Sequence, residues 1–232
     1  MPKSWEQVDL WVADLIGVPL SMLWQKGVTV GMHAELGDFP GIMVIGRDGG
    51  VHVSLPDWCG RAVIDELVEQ PPSALVDPSF WKHHELTAGL KVFGPTIHSF
   101  TDAQLEAPSK VEQIPASDIE SWADVVSRRK WEASGFAGDV PVAFAIRAGD
   151  EITAASNLTR FRGVPSDVGV LTHPKFRGKG YSSRVARAAT AYAVRSHDIA
   201  RFRYDATNER SRAIAKSLGF EDHYEELVIR PR

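Results

Sequence analysis

A length of 232 residues with 44% hydrophobic and 24% charged residues is typical of a folded globular protein of one large or two small domains, and excludes a disordered chain. No apolar run approaches the roughly 18 residues of a membrane-spanning helix, and the N-terminus lacks a signal-peptide pattern, so we expect a cytoplasmic protein without a membrane partner. The net charge of −4 is uneven, because residues 160–232 hold 15 Lys and Arg against 8 Asp and Glu, which favours an anionic partner: nucleic acid or a phosphorylated cofactor.

Residues 1–109 predict a small α+β domain. Apolar residues at helical spacing predict an amphipathic helix from Ser4 to Ile16. Residues 41–46 and 51–55 flank a turn sequence that tolerates positive φ, so they predict a β-hairpin, and a helix should follow it up to the Pro71-Pro72 pair. Cys59, the only cysteine, cannot form an intramolecular disulfide, and we expect it to be a small buried residue.

A change to polar residues before Ser109 places the domain boundary between residues 109 and 110. A helix should begin near Asp118, where Ser117 and Glu120 form a capping-box pattern, and end near Gly135. The remaining pattern predicts strands over 140–147, 152–160 and 167–172, a helix over 181–196, a strand over 201–206, a helix over 209–218 and a strand over 224–229. This order indicates a mixed α/β sheet in residues 110–232.

The strand-to-helix connection after Val168 has the features of a phosphate-binding loop. Gly178 and Gly180 remove side chains that would keep a bulky anion from the backbone, and the following helix points its unpaired N–H groups at the same space. Three cations, Lys175, Arg177 and Lys179, surround the loop. It matches neither a Walker A loop nor a dinucleotide-binding glycine motif.

At these residues the chain resembles the GNAT superfamily of N-acetyltransferases. The family signature of Arg or Gln, two residues, Gly, one residue, and Gly or Ala corresponds to Arg177-Gly-Lys-Gly180-Tyr-Ser182, with Ser182 in place of the last small residue. A second family element follows about 30 residues later, as Asn208-Glu-Arg-Ser211 and then Leu218-Gly219-Phe220. The resemblance covers residues 110–232.

The resemblance implies an α/β (α+β) fold, with a mixed GNAT-type central sheet flanked by helices in the C-terminal half and a smaller α+β N-terminal domain. That N-terminal domain resembles the auxiliary half of two-domain family members, where it can be a degenerate copy of the same fold. The resemblance also implies acetyl-CoA as cosubstrate. The residues implied to bind it are Val170, Leu171 and Thr172 along the pantetheine arm, Arg177, Gly178, Lys179, Gly180, Tyr181 and Ser182 around the pyrophosphate, and Asn208 and Ser211 near the thioester.

The residues that would act as general acid and base are harder to identify than those that would bind the cofactor. Many family members carry a Tyr seven residues after the Asn, where it protonates the leaving thiolate, but this chain has Ala215 there. Ser211 is the first substitute on the resemblance. Asp167 and His173 flank the cofactor strand and are candidate bases, although either could instead be a surface residue.

We therefore expect an acetyl-CoA-dependent N-acetyltransferase that acts on a primary amine by direct attack, with a small-molecule acceptor favoured over a protein. A noncatalytic acyl-CoA-binding or sensor protein is the alternative, because of Ala215. Nucleic-acid binding is not expected, since no aromatic residues interleave the basic ones. We also expect no metal, because the adjacent His83 and His84 diverge on a helix, and a monomer or homodimer.

Overall fold

The computed structural model describes residues 3–34 and 36–231, and the chain divides into two compact units. Unit 1 comprises Met1–His98, Tyr204–Thr207 and His223–Arg232, and unit 2 comprises Ser99–Arg203 and Asn208–Asp222. The predicted boundary between residues 109 and 110 stays a prediction. In residues 3–34 and 36–231, no helix is both long enough and apolar enough to cross a membrane.

Unit 1 contains a sheet in the order β1-β3-β2-β10, in which β1 and β3 are parallel and the other pairs antiparallel. Its elements are α1 (Lys3–Ile16), β1 (Gly27–Met32), β2 (Ile42–Arg47), β3 (Gly50–Leu55), α2 (Arg61–Val68), α3 (Pro72–Leu75), α4 (Pro78–His83), most of β4 (Lys91–Thr101) and most of β10 (Glu221–Arg230). Its core joins residues from β2, β3 and the short helices with Leu227 and Ile229 of β10. Unit 1 is therefore built from distant parts of the chain.

The predicted hairpin is present as β2 and β3. Asp48 and Gly49 at its turn both have positive φ, at 54° and 86°, which suits the right-handed twist of a two-residue hairpin. Cys59 is 6% exposed, and burial raises the pKa of its thiol to about 11, so it belongs to the core rather than to a reactive site.

Two strands of unit 1 differ from the sequence-based expectation. Residues 27–32 form β1, for which no strand was predicted: Val28, Thr29 and Val30 favour a strand, but a glycine flanks them on each side. Residues 91–101 form β4, for which no strand was predicted either; the peptide bond between Gly94 and Pro95 is cis and lies inside this strand. The helix predicted after the hairpin is present as α2, which begins at Arg61 with Gly60 in the N-cap position.

Unit 2 contains a sheet in the order β9-β8-β7-β6-β5, with β8 and β9 parallel and the other pairs antiparallel. Its elements are β5 (Val111–Ile114), α5 (Trp122–Val125), α6 (Arg128–Ala133), β6 (Val142–Ala148), β7 (Glu151–Phe161), β8 (Val164–Thr172), α7 (Tyr181–His197), most of β9 (Ala200–Asp205) and α8 (Glu209–Ser217). The predicted mixed sheet flanked by helices is confirmed.

Helices cover both faces of the unit 2 sheet. Val185 of α7 packs against Ile146, Ala154 and Val170 on one face. On the other face, Trp122 of α5 packs in a cluster with Leu171. Successive residues of β8 therefore alternate between the α7 face and the α5/α6 face.

The predicted continuous helix from Asp118 to Gly135 is wrong. The segment consists of a 3₁₀ turn (Ala116–Ile119), α5 and α6, and Val126 between the two helices is extended at ψ 157°. The capping box does not form, because Pro115 holds the N-cap position without a side-chain hydrogen bond. Apolar residues at helical spacing are buried all the same, so packing against the sheet outweighs helix continuity here.

Candidate functional site

An open loop joins β8 to α7. A 3₁₀ turn at Pro174–Phe176 leads into residues 177–180, all of which are exposed. Gly178 and Gly180 have φ of 79° and 74°, and a Cβ added to either would meet no atom within 4 Å. The backbone of this loop is therefore accessible to a bulky group.

The loop ends at the N-terminus of α7, where the N-cap residue makes no side-chain capping bond. Gly180 is the N-cap residue, in the left-handed conformation, and it has no side chain to accept from the first N–H groups of the helix. Seventeen residues of α7 follow, so the positive end of its dipole coincides with these N–H groups. Such an arrangement can bind an anion with main-chain donors.

The three cations of the loop differ in their surroundings. Lys175 Nζ lies 2.8 Å from Glu151 Oε2, and this contact holds the pKa of Glu151 below its usual value. The ammonium groups of Lys175 and Lys179 also lie 5.1 Å and 5.8 Å from the ring centre of Phe176. A carboxylate thus offsets the charge of Lys175, whereas Arg177 and Lys179 are exposed beside the glycines.

The end of β8 separates from its parallel neighbour. β8 pairs with β9 at Asp167↔Arg201 and Val168↔Phe202, and within the described residues this register does not continue to Gly169 and Arg203. On its other side, β8 stays paired with β7 up to Thr172. One edge of residues 169–172 is thus no longer held by the β8–β9 ladder.

Peptide groups of Val170 and Thr172 point to that edge. The N–H of His173 donates to the carbonyl of Thr153 at 3.0 Å, so the Thr172–Ala154 pair is of the non-hydrogen-bonded kind. Alternate residues of a strand direct their peptide groups to opposite sides, hence Val170 and Thr172 share the β9 side while Leu171 bonds to β7. An extended ligand could pair with these two residues as an added strand.

Ser182 connects the helix to the strand. Its Oγ lies 2.6 Å from Oγ1 of Thr172, a hydrogen bond between the first turn of α7 and the last residue of β8. Tyr181, beside it, packs with Val170 and Val185 in the same cluster. The structure thus brings the predicted cofactor residues 170–172 and 177–182 together at one end of β8.

The second predicted element lies at the start of α8. Asn208 is its N-cap, and Oδ1 of Asn208 accepts from the N–H of Ser211 at 3.2 Å. Ser211 is half-buried in the first turn, whereas Ala215 is 1% exposed and packs inside the protein. The side chain at position 215 is therefore buried, and as a methyl group it can neither donate nor accept a proton.

His173 serves as a cap. Its Nδ1 accepts from the N–H of Lys175 at 3.3 Å, and its ring packs against Trp122 and Phe176. An Nδ1 that accepts a hydrogen bond places the proton of the neutral ring on Nε2. This geometry favours a structural role for His173 over that of a general base.

Asp167 is held in an ion pair. It is 5% exposed, and its Oδ2 accepts from Nη2 and Nε of Arg203 at 2.7 Å and 3.1 Å. Nε of Arg201 lies 3.8 Å from its other oxygen, Oδ1. Paired with arginines, this carboxylate is stabilised as the anion and is a weak base. Sequence reasoning identified Asp167 but missed its partner Arg203, which belongs to no motif.

Among the residues that the structure describes, no three His, Cys, Asp or Glu side chains are grouped so that they could hold a metal ion. The adjacent histidines of unit 1 have different partners: His83 Nδ1 contacts the carbonyl of Ser79, and His84 Nε2 contacts Glu66.

The chain is similar to a known family and to proteins of solved structure. The family model described as an acetyltransferase (GNAT) domain matches residues 95–221. A search of the curated proteins finds no significant match. A Drosophila melanogaster protein of solved structure is 19% identical with a TM-score of 0.50, and the alignment covers 82% of this chain and 74% of that protein.

Two bacterial structures are also similar. A GNAT-family protein from Novosphingobium aromaticivorans is 18% identical with a TM-score of 0.47, and the alignment covers 62% of this chain and 68% of that protein. A GCN5-related N-acetyltransferase-like protein from Streptococcus suis is 14% identical with a TM-score of 0.44, and the alignment covers 97% of this chain and 99% of that protein. At these identities, the similarity concerns the fold alone.

Proposed function

This chain belongs to the GNAT acetyltransferase family, and from that premise we propose that it transfers an acetyl group from acetyl-CoA to a primary amine of a small molecule. The amine attacks the thioester directly, without a covalent enzyme intermediate. The observation that carries the proposal is the junction of β8 and α7, where two open glycines and an uncapped helix N-terminus adjoin exposed cations.

The pyrophosphate of CoA fits this junction. Main-chain N–H groups at the start of α7 would donate to its oxygens, and Arg177 and Lys179 would offset its charge. Tyr181 and Ser182 complete the first turn, with Ser182 held by Thr172. Any side chain larger than hydrogen at position 178 or 180 would enter the same space.

The pantetheine arm fits the edge of β8. Its amide groups would pair with the peptide groups of Val170 and Thr172, with Leu171 between them bonded to β7. The thioester would then reach the place where β8 and β9 begin to pair, at Val168↔Phe202. We assign Ser211, positioned in α8 by Asn208, as the donor that contacts the leaving thiolate.

A noncatalytic acyl-CoA-binding or sensor protein is the second candidate. The buried Ala215 favours it, because this position supplies no acid for the thiolate. Protonation by a positioned acid typically contributes about 10²- to 10⁴-fold to a rate, so a chain without one could bind the cofactor and transfer slowly or not at all.

Two measurements on the full chain separate the candidates. We expect acetyl-CoA to bind in titration calorimetry, and free CoA to be released, beyond the rate of hydrolysis, with at least one member of a panel of primary amines. Binding without release on any amine would favour the noncatalytic candidate. An absence of acetyl-CoA binding would contradict both candidates.

A His173→Asn variant tests the role of the capping histidine. Asn is a good N-cap, so it should keep the hydrogen bond to the N–H of Lys175, and we expect kcat to stay within about threefold of the original with an unchanged pH profile. A fall of about 10²-fold or more in kcat would instead identify His173 as the base.

A further inference from the structure

We propose that Arg203 binds an anionic group, a carboxylate, on the acceptor amine, and that Asp167 positions Arg203 for this contact. The proposal rests on the proposed function, because it concerns the acceptor of the same reaction. It assigns a chemical class to that acceptor: small amines that also carry a carboxylate.

The proposed path of the cofactor brings its thioester close to Arg203. From the open loop, the pantetheine arm would run along β8 from Thr172 back to Val170, over about 7 Å. It can go no further as an added strand, because at Val168↔Phe202 the edge of β8 is already paired with β9. The thioester would lie at this point. Arg203 is the next residue of β9 beyond Phe202.

Arg203 lies on the α5/α6 face of the sheet, and its side chain reaches solvent there. Its partner Asp167 shares a face with Leu171, which packs in the cluster of α5 and α6. The opposite face is covered near the thioester by α7, where Val185 and Tyr181 pack against Val170. The side chain of Arg203 is 47% exposed, whereas that of Asp167 beneath it is only 7% exposed.

Asp167 fixes the guanidinium in one orientation. Its Oδ2 accepts from both Nη2 and Nε of Arg203, and Oγ1 of Thr159 lies 3.4 Å from the same oxygen. Arg201, on the other side of the carboxylate, lies with its guanidinium 4.0 Å from the ring centre of Phe161. Guanidinium groups recognise carboxylates through paired hydrogen bonds, and a preorganised one loses less entropy on binding.

The test compares matched acceptors. Glycine, β-alanine and γ-aminobutyrate are assayed beside their carboxamides, which keep the amine and lose the anionic charge. Because the amino group of an α-amino amide has the lower pKa, intrinsic reactivity for the glycine pair favours the amide, so a preference for the acid must come from the protein. We expect the full chain to prefer at least one acid, in kcat/KM, by about 10- to 100-fold.

An Arg203→Gln variant should lose that preference through a raised KM for the acid, with acetyl-CoA affinity unchanged in calorimetry. Asp167→Asn should reduce the preference less, since its side-chain oxygen can still accept from Arg203. The control is Arg160→Gln, which removes a half-exposed arginine paired with Asp139 and should keep the preference. Calorimetry is also done on each variant to show that it is folded and binds acetyl-CoA.

The outcomes distinguish this inference from the proposed function. Transfer to amines with no preference for any acid, or a preference that survives Arg203→Gln, overturns the role of Arg203 and leaves the acetyltransferase intact. No transfer to any amine, or no acetyl-CoA binding by the original chain, overturns the proposed function and this inference with it.

Discussion

Replacing Gly180 with Glu is expected to abolish acetyl-CoA binding while leaving the protein folded. An added side chain at this position meets no atom of the protein, so the substitution needs no rearrangement of the core. It would place a carboxylate where the cofactor's pyrophosphate meets the N-terminus of α7. Repulsion between like charges in a binding site costs several kcal/mol, which corresponds to a loss of affinity of at least about 100-fold in calorimetry.

The matched control is Gly163→Glu. Gly163 is also an exposed glycine with positive φ, at 84°, and an added Cβ meets nothing within 4 Å. It lies in the turn between β7 and β8, at the opposite end of β8 from the loop, so the same backbone strain and charge should leave acetyl-CoA affinity within about threefold of the original. Equal affinity in both variants would show that the cofactor does not occupy the loop.

The second large effect is expected from Gly169→Ala, in the middle of β8. A Cβ here would overlap the carbonyl oxygen of Ser134 and Oδ1 of Asn157, and Asn157 itself donates to that carbonyl at 2.9 Å. The Ser134 oxygen is a backbone atom, and the Asn157 amide is buried and held by its hydrogen bond to that oxygen, so the segment after α6 must move away from the sheet. We expect the free energy of unfolding in urea to fall by about 3 kcal/mol, at the upper end for overpacking.

Gly138→Ala provides the comparison within unit 2. Its nearest neighbour would be the carbonyl of Gly135 at 3.6 Å, an ordinary contact, and its φ is not in the left-handed region. Its unfolding free energy should change by less than about 0.5 kcal/mol, as for most surface substitutions. If Gly169→Ala were as stable as this control, the close approach of Ser134 to β8 would be incorrect.

Much of the fold of residues 140–232 could be predicted from the sequence, because local signals there agree with one another. Gly180 marks the start of α7, Gly219 follows the end of α8, and the strands of this region carry clear apolar patterns. The turn at Asp48-Gly49 was equally readable, since few residues other than these accept its backbone conformation.

The missed elements are those whose stability comes from neighbours. β1 has only three strand-favouring residues in succession, Val28 to Val30, between two glycines, and it pairs in parallel with β3, a partner more than 20 residues away. In residues 116–133, the apolar spacing is helical, yet burial of Ile119 and Trp122 against the sheet is achieved by short turns. Sequence periodicity identifies which residues are buried, but not whether the backbone between them is continuous.

The candidate site shows the same division. The loop from Arg177 to Ser182 could be predicted, because its glycines, cations and helix start are consecutive in the chain. The ion pair of Asp167 with Arg203 could not, because it joins two strands 36 residues apart and depends on their register. Side chains alternate between the two faces of a strand, so Asp167 and Arg203 can be placed on the same face once β8 and β9 are known to pair in parallel. The sequence does not show that pairing.

Because unit 1 includes a strand from the C-terminal end of the chain, it cannot finish folding early in translation. Its sheet includes β10, whose Leu227 and Ile229 belong to the same core as Val44 and Val53 of the hairpin. A nascent chain that has emerged only as far as His98 cannot complete this core and exposes the edge of β2 that β10 later covers. We therefore expect the first segment to depend on chaperones until the ribosome has delivered residue 230, by which point the last residue of unit 2, Asp222, has also been made.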